Sequence, residues 1–137
     1  MSQIRLLTQL KNQLSEFFSE LIDQFPNEPD LVIIQIFLDN QIPIVDVMKY
    51  ISTKLVPLKP LIEKRDDNFF LQHNILFEKL DGNKVNHFKN LWTSGVLDES
   101  NKQIIWDWFE LFIKIAEKYE KLQEIKVLNK CLSDFHF

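Results

Sequence analysis

Two glycines, one alanine and one cysteine are all that this 137-residue chain holds of those types. So few glycines do not supply the tight turns of a β-rich domain. A single alanine leaves little room for helices packed through small residues. Lone Cys131 excludes an intrachain disulfide and fits a reducing compartment. Basic clusters are also missing: the densest, Lys59 to Arg65, runs straight into Asp66 and Asp67, and the net charge is −4. A nucleic-acid surface needs a basic face, so nucleic acid is not an expected partner. No apolar run approaches the about 20 residues of a membrane span. Met1 to Arg5 is polar, which argues against a signal peptide. Gly82 and Gly95 are isolated, so neither a phosphate loop nor a nucleophile elbow is present. No cofactor and no small-molecule substrate are expected.

What is present is a globular composition. Hydrophobic residues make up 45% and charged residues 26%, with twelve phenylalanines to fill a core. The length suits one domain and is short for two. Lysine outnumbers arginine fourteen to two, and Asn, Ile and Phe are plentiful, a bias that AT-rich codons explain.

The stretch from Asp98 to Lys121 organises the rest. At about 100° per residue, Ile104, Ile105, Trp108, Phe109, Leu111, Phe112, Ile115, Ala116 and Tyr119 fall on one arc. The arc is broader than the stripe of a surface helix, so the helix should be nearly surrounded, with Trp108 as its main core ring. Ser100 and Gln103 have capping-box spacing, and Asp98 is a second N-cap candidate. Glu110–Lys114 and Glu117–Lys121 are acid-before-base pairs that mark a solvated face. Trp106 and Ile113 lie off the arc beside those charges. Either another helix of the domain covers them, or they form an exposed patch for a partner.

Elsewhere the chain reads as helices cut by prolines. Ile4, Leu7, Leu10, Leu14, Phe17, Leu21 and Phe25 repeat at helical spacing up to Pro26. Leu31 to Leu38 is almost wholly apolar and fits a buried helix or a buried strand; Asp30 as an N-cap and the absence of a partner strand favour helix. Pro43 suits the first turn of a third helix reaching about Leu55, and Pro57 and Pro60 bracket one or two further turns. Arg65-Asp66-Asp67-Asn68 reads as a turn that drops Phe69 and Phe70 into the core. Short helices are expected over Ile75–Leu80, closed by Gly82, and over Val85–Trp92, with Gly95 beyond. The expected architecture is one all-α domain, a compact multi-helix bundle around the long helix. Residues 1–25 form an amphipathic helix, 30–94 short helices, 98–122 the centre, and 123–137 a tail or helix.

Two constellations were tested for chemistry. Glu63, Asp66, Asp67, His73 and His87 lack fixed metal-ligand geometry and read as caps and ion-pair partners, so no metal is expected. Asp66 and Asp67 are adjacent carboxylates in a polar turn, and an acidic enzyme site around them is one alternative function. Cys131 has no neighbouring base and reads as a plain thiol.

Several segments resemble small uncharacterised helical proteins of large nucleocytoplasmic DNA viruses. They are Phe17-Phe18-Ser-Glu-Leu-Ile-Asp-Gln-Phe-Pro, Pro57-Leu-Lys-Pro with Arg65 to Phe70, and Phe88-Lys-Asn-Leu91-Trp92. Leu97-Asp98, Asn101-Lys102, Ile105-Trp106-Asp-Trp108-Phe109 and Ala116-Glu-Lys-Tyr119 complete the pattern. The resemblance implies a viral origin, in agreement with the codon bias, and assigns no functional residue. Viral antiapoptotic Bcl-2-like proteins are similar only in outline. Their Asn-Trp-Gly-Arg signature is replaced by Asn90-Leu-Trp92-Thr-Ser-Gly95.

The expected function is a non-enzymatic protein–protein interaction role, as a structural or assembly component of a virus particle or virus factory. The alternative is a host-directed effector with a helical partner groove. The expected location is the host cytoplasm or the virion interior. Trp106 and Ile113 are the expected contact for a viral or host protein. Leu7, Leu10, Leu14 and Phe17 are the expected seam for a second copy.

Overall fold

The computed structural model describes residues 2–69, 89, 90, 92, 93, 95 and 97–134. Among the described residues there are helices and no strands, which establishes an all-α fold. Helix α1 spans Gln3–Gln24, α2 Pro29–Asn40, α3 Ile44–Tyr50, α4 Lys59–Glu63 and α5 Glu99–Asp134. Among the described residues, no single helix is long and apolar enough to cross a membrane.

Each boundary has a local cause. The Ser2 hydroxyl accepts the Arg5 N–H at 3.2 Å and starts α1. Pro26 prevents its continuation. Helix α2 starts two residues before the expected Asp30 cap: Glu28 is the N-cap and Pro29 opens the first turn. Proline there already has the helical φ and lacks an N–H that would go unpaired anyway. Asp30 then sits in the first turn, where its charge favours the helix dipole.

Leu31 to Leu38 is helical in spite of its β-branched content. Its Leu31 side packs on α1, and Gln35 pins the pair. Gln35 Nε2 donates to the Ser15 carbonyl at 3.2 Å and to Ser19 Oγ at 3.1 Å. Helix α3 widens into a π turn over Ile51–Leu55, followed by a tight 3₁₀ turn over Val56–Leu58. Pro57 offers no N–H and its ring crowds the carbonyl four residues back, so the regular register cannot continue.

Helix α5 carries the core. Ile105, Trp106, Phe109, Phe112, Ile113, Ile115 and Ala116 are buried along it, facing Leu6, Leu10, Leu14 and Phe17 of α1 and Met48, Ile51, Leu55 and Ile62. Phe17 meets Trp108, Phe109 and Phe112 with ring centroids 5.8, 6.0 and 5.6 Å away. Trp106 lies edge-on between Phe69 and Trp92, each 5.8 Å away. Phe69 is buried as expected; Phe70, the Ile75–Leu80 helix with Gly82, and Val85 to Phe88 lie outside the described residues. Gly95 has φ 85°, the left-handed conformation that ends a helix at little cost.

One expectation about α5 is corrected and two open alternatives are decided. The buried arc is rotated toward Trp106 and Ile113, while Ile104 is 46% exposed. The cap is Asp98, whose Oδ1 accepts the Asn101 N–H at 2.8 Å. Gln103 turns away from the proposed capping box and accepts a bond from Arg65 at 2.6 Å. Of the tail and the helix expected after residue 122, the helix is what forms, and α5 runs to Asp134.

Trp106→Ala should cost about 3–5 kcal/mol, a large part of a total near about 5–15 kcal/mol. Trp108 is only half-buried and its Nε1 donates to Glu20 Oε2 at 2.8 Å. Trp108→Ala should therefore cost no more than about half as much. Denaturant melts of the two variants check the order. In the same assay Asp98→Ala should cost about 1 kcal/mol and Ser100→Ala under about 0.5 kcal/mol.

Candidate interaction surfaces

The expected contact at Trp106 and Ile113 is not a surface in this fold. The two residues are 1% and 2% exposed. The expected seam on α1 is likewise filled from within the chain: Leu10, Leu14 and Phe17 are buried, and Leu7 is half-buried against the same core. The spacing on each helix was read correctly as apolar, but the chain covers both faces itself.

What covers Trp106 and Ile113 is the segment from α4 to Phe69, tied along α5 by charge. Lys59 Nζ lies 3.0 Å from Glu117 Oε1. About two to three helical turns toward the start of α5, Arg65 bridges Asp107 at 2.6 Å and Glu110 at 2.9 Å. Lys102 Nζ then lies 3.3 Å from Asp67 and 5.3 Å above the Trp92 ring. Glu110 and Glu117 are thus engaged across the domain, rather than only by the lysines four residues on. The guanidinium of Arg65 is held above its ordinary pKa by hydrogen bonds to Glu110 and Asp107. The Lys59 ammonium is raised by its hydrogen bond to Glu117.

Arg65 has φ 52°. It follows α4 at the position where a left-handed residue reverses the chain, and its N–H reaches the Ile62 carbonyl at 3.0 Å. Glycine fits there without strain, but only arginine reaches three acceptors on α5.

The acidic constellation is occupied structurally. Asp66 Oδ1 accepts the Asn68 N–H at 3.0 Å, closing the turn. Asp67 is the partner of Lys102. Among the described residues no group of three His, Cys, Asp or Glu side chains is placed to hold a metal. His73 and His87 lie outside the described residues.

Among the described residues two apolar surfaces remain that spacing alone does not single out. The first is the outer face of α2. Val32, Ile33, Ile36 and Phe37 are 40–52% exposed, and Ile42 and Val45 extend the patch around the corner into α3. Of α2 only Leu31 is fully buried. A helix apolar on all sides is normally enclosed, but among the described residues α2 packs mainly on α1.

The second surface is the distal part of α5. Every residue from 123 to 134 is exposed, including Ile125, Leu128, Leu132 and Cys131. The expected tail is a regular helix as far as Asp134, and residues 135–137 lie outside the described residues.

No protein-family model, no curated protein and no solved structure matches the chain.

Arg65→Ala should lose the bridges and keep the strain, at a cost of about 1 kcal/mol or more. Arg65→Gly should lose the same bridges but release the strain, and so melt above Arg65→Ala by about 1 kcal/mol in equilibrium stability.

Proposed function

We propose that this chain is a non-enzymatic interaction protein that works by presenting the outer face of α2. The observation that carries this reading is the row Val32, Ile33, Ile36 and Phe37, each at least 40% exposed on a regular helix. Contiguous apolar surface of this kind on a folded domain is where partners bind. The two carboxylates on which an enzyme reading would rest, Asp66 and Asp67, hold a turn and an ion pair, which supports interaction over catalysis. Taken with the resemblance to proteins of large nucleocytoplasmic DNA viruses, the role is that of an assembly component acting in the host cytoplasm or within the particle.

A photo-crosslinking residue at Ile36 should give defined protein adducts in cells, and one at exposed Lys54 should not. Ile33→Asp in the chain that carries the crosslinker at position 36 should abolish those adducts with an unchanged melting temperature. Adducts that are equally abundant at both positions would remove the α2 assignment. Turnover of a small substrate that is lost in Asp66→Ala or Asp67→Ala would replace the reading with an enzymatic one.

A further inference from the structure

Exposed Ile104 is one wall of a cleft between the last two turns of α1 and the first turns of α5. The cleft has a volume of about 230 Å³. Phe17, Leu21, Ile104 and half-buried Trp108 give it an apolar lining, and Glu20 and Asp23 add two carboxylates. No lysine or arginine is among the described residues that line it.

The carboxylates are placed and not neutralised. Glu20 Oε2 accepts the Trp108 Nε1–H at 2.8 Å, which holds this carboxylate beside the ring. Among the described residues nothing donates to Glu20 Oε1 or to the Asp23 carboxylate. Positions three apart on a helix are neighbours, with Cβ atoms about 5–6 Å apart. Two like charges at that separation favour a cation between them.

The lining restricts which cation fits. A hydrated metal ion gains nothing from apolar walls, whereas a charged head on an apolar stem uses both parts of the cleft. The volume lies below the about 300–1,000 Å³ of sites for drug-sized ligands. It suits one long side chain and is small for a cofactor. Arginine matches better than lysine. Its planar guanidinium can meet two carboxylates and lie against an indole, while the lysine ammonium is a compact and strongly hydrated charge.

We propose that this cleft receives an arginine side chain of another protein. The stem lies on Ile104 and Trp108, and the guanidinium meets Glu20 and Asp23. An arginine within a chain is favoured over the free amino acid, whose own carboxylate would be repelled by the two acids. Phe17 and Leu21 face away from Ser15 and Ser19, which hold α2, so the site is independent of the α2 face.

The test is NMR on the full chain, read at the Trp108 indole N–H, which Trp108→Phe assigns. The probe is Nα-acetyl-arginine methylamide. It should shift this signal saturably, and the uncharged citrulline analogue should not. The lysine analogue should bind at least about fivefold more weakly, and free arginine more weakly than the blocked form. Glu20→Gln and Asp23→Asn should each weaken the arginine probe at least about fivefold. Both positions are exposed, so melting temperatures should hold. Glu124→Gln, on the distal part of α5, should change nothing.

The absence of a saturable shift overturns the proposal. An equal response to citrulline would make the cleft a purely apolar one, and equal binding of lysine would remove the guanidinium assignment. Tighter binding of free arginine would point to a small-molecule ligand in place of a protein. Equal losses in Glu20→Gln and Glu124→Gln would reduce the effect to net charge. Each of these outcomes leaves the α2 reading standing, and loss of the Ile36 adducts leaves this one.

Discussion

The enclosure of Trp106 is the constraint on which the rest of the structure depends. A ring this large cannot be covered by α1 alone, which already occupies the Phe17, Phe109 and Phe112 side of α5. Phe69 and Trp92 close it from the other side. To bring Phe69 there the chain must leave α4, reverse, and run beside α5. Arg65 provides that reversal at a left-handed φ and secures it with bonds to Gln103, Asp107 and Glu110. Individually such partly exposed bridges contribute little. Their value is positional, because they fix the register of a segment whose apolar residues then contribute the larger burial energy.

The same arrangement explains what is left over. The core is built from one side of α1, the inner residues from Met48 to Ile62, and a wide arc of α5. Helix α2 contacts this assembly through α1, and the distal third of α5 extends past it. Both elements therefore keep large aliphatic side chains in solvent. In a chain with 45% hydrophobic residues, surplus apolar surface is expected somewhere. Its concentration on two helices is a feature of the fold, and it makes these helices the surfaces on which a functional reading can be built.

Much of the fold was legible in the sequence because it rests on local physics. The 3.6-residue spacing, the prolines at 26, 43, 57 and 60, the scarcity of glycine and the Asp98 cap are each decided within one or two turns of chain. They settle helix type, and they place the helix boundaries near Pro26 and Pro43 and at the start of α5. Leu31 to Leu38 was ambiguous because its apolar run lacks a period. Its helical state follows from lying on α1 with Gln35 bonded to Ser15 and Ser19.

The choice of which apolar face meets which neighbour was not legible. Trp106 and Ile113 admit both readings, covered by another helix or exposed for a partner, because Glu110 and Glu117 flank them, and on an isolated helix acids mark the wet side. Here those acids face Arg65 and Lys59 from a segment about fifty residues distant in sequence, so the charged stripe lies at a helix contact. Conversely, Ile104 and the outer face of α2 read as core and stand in solvent. Periodicity determines that a helix has an apolar face and roughly how wide it is. How many neighbours arrive to cover that face depends on long-range pairing, and only the tertiary structure decided which arc of α5 would be covered and that the outer face of α2 would be left open.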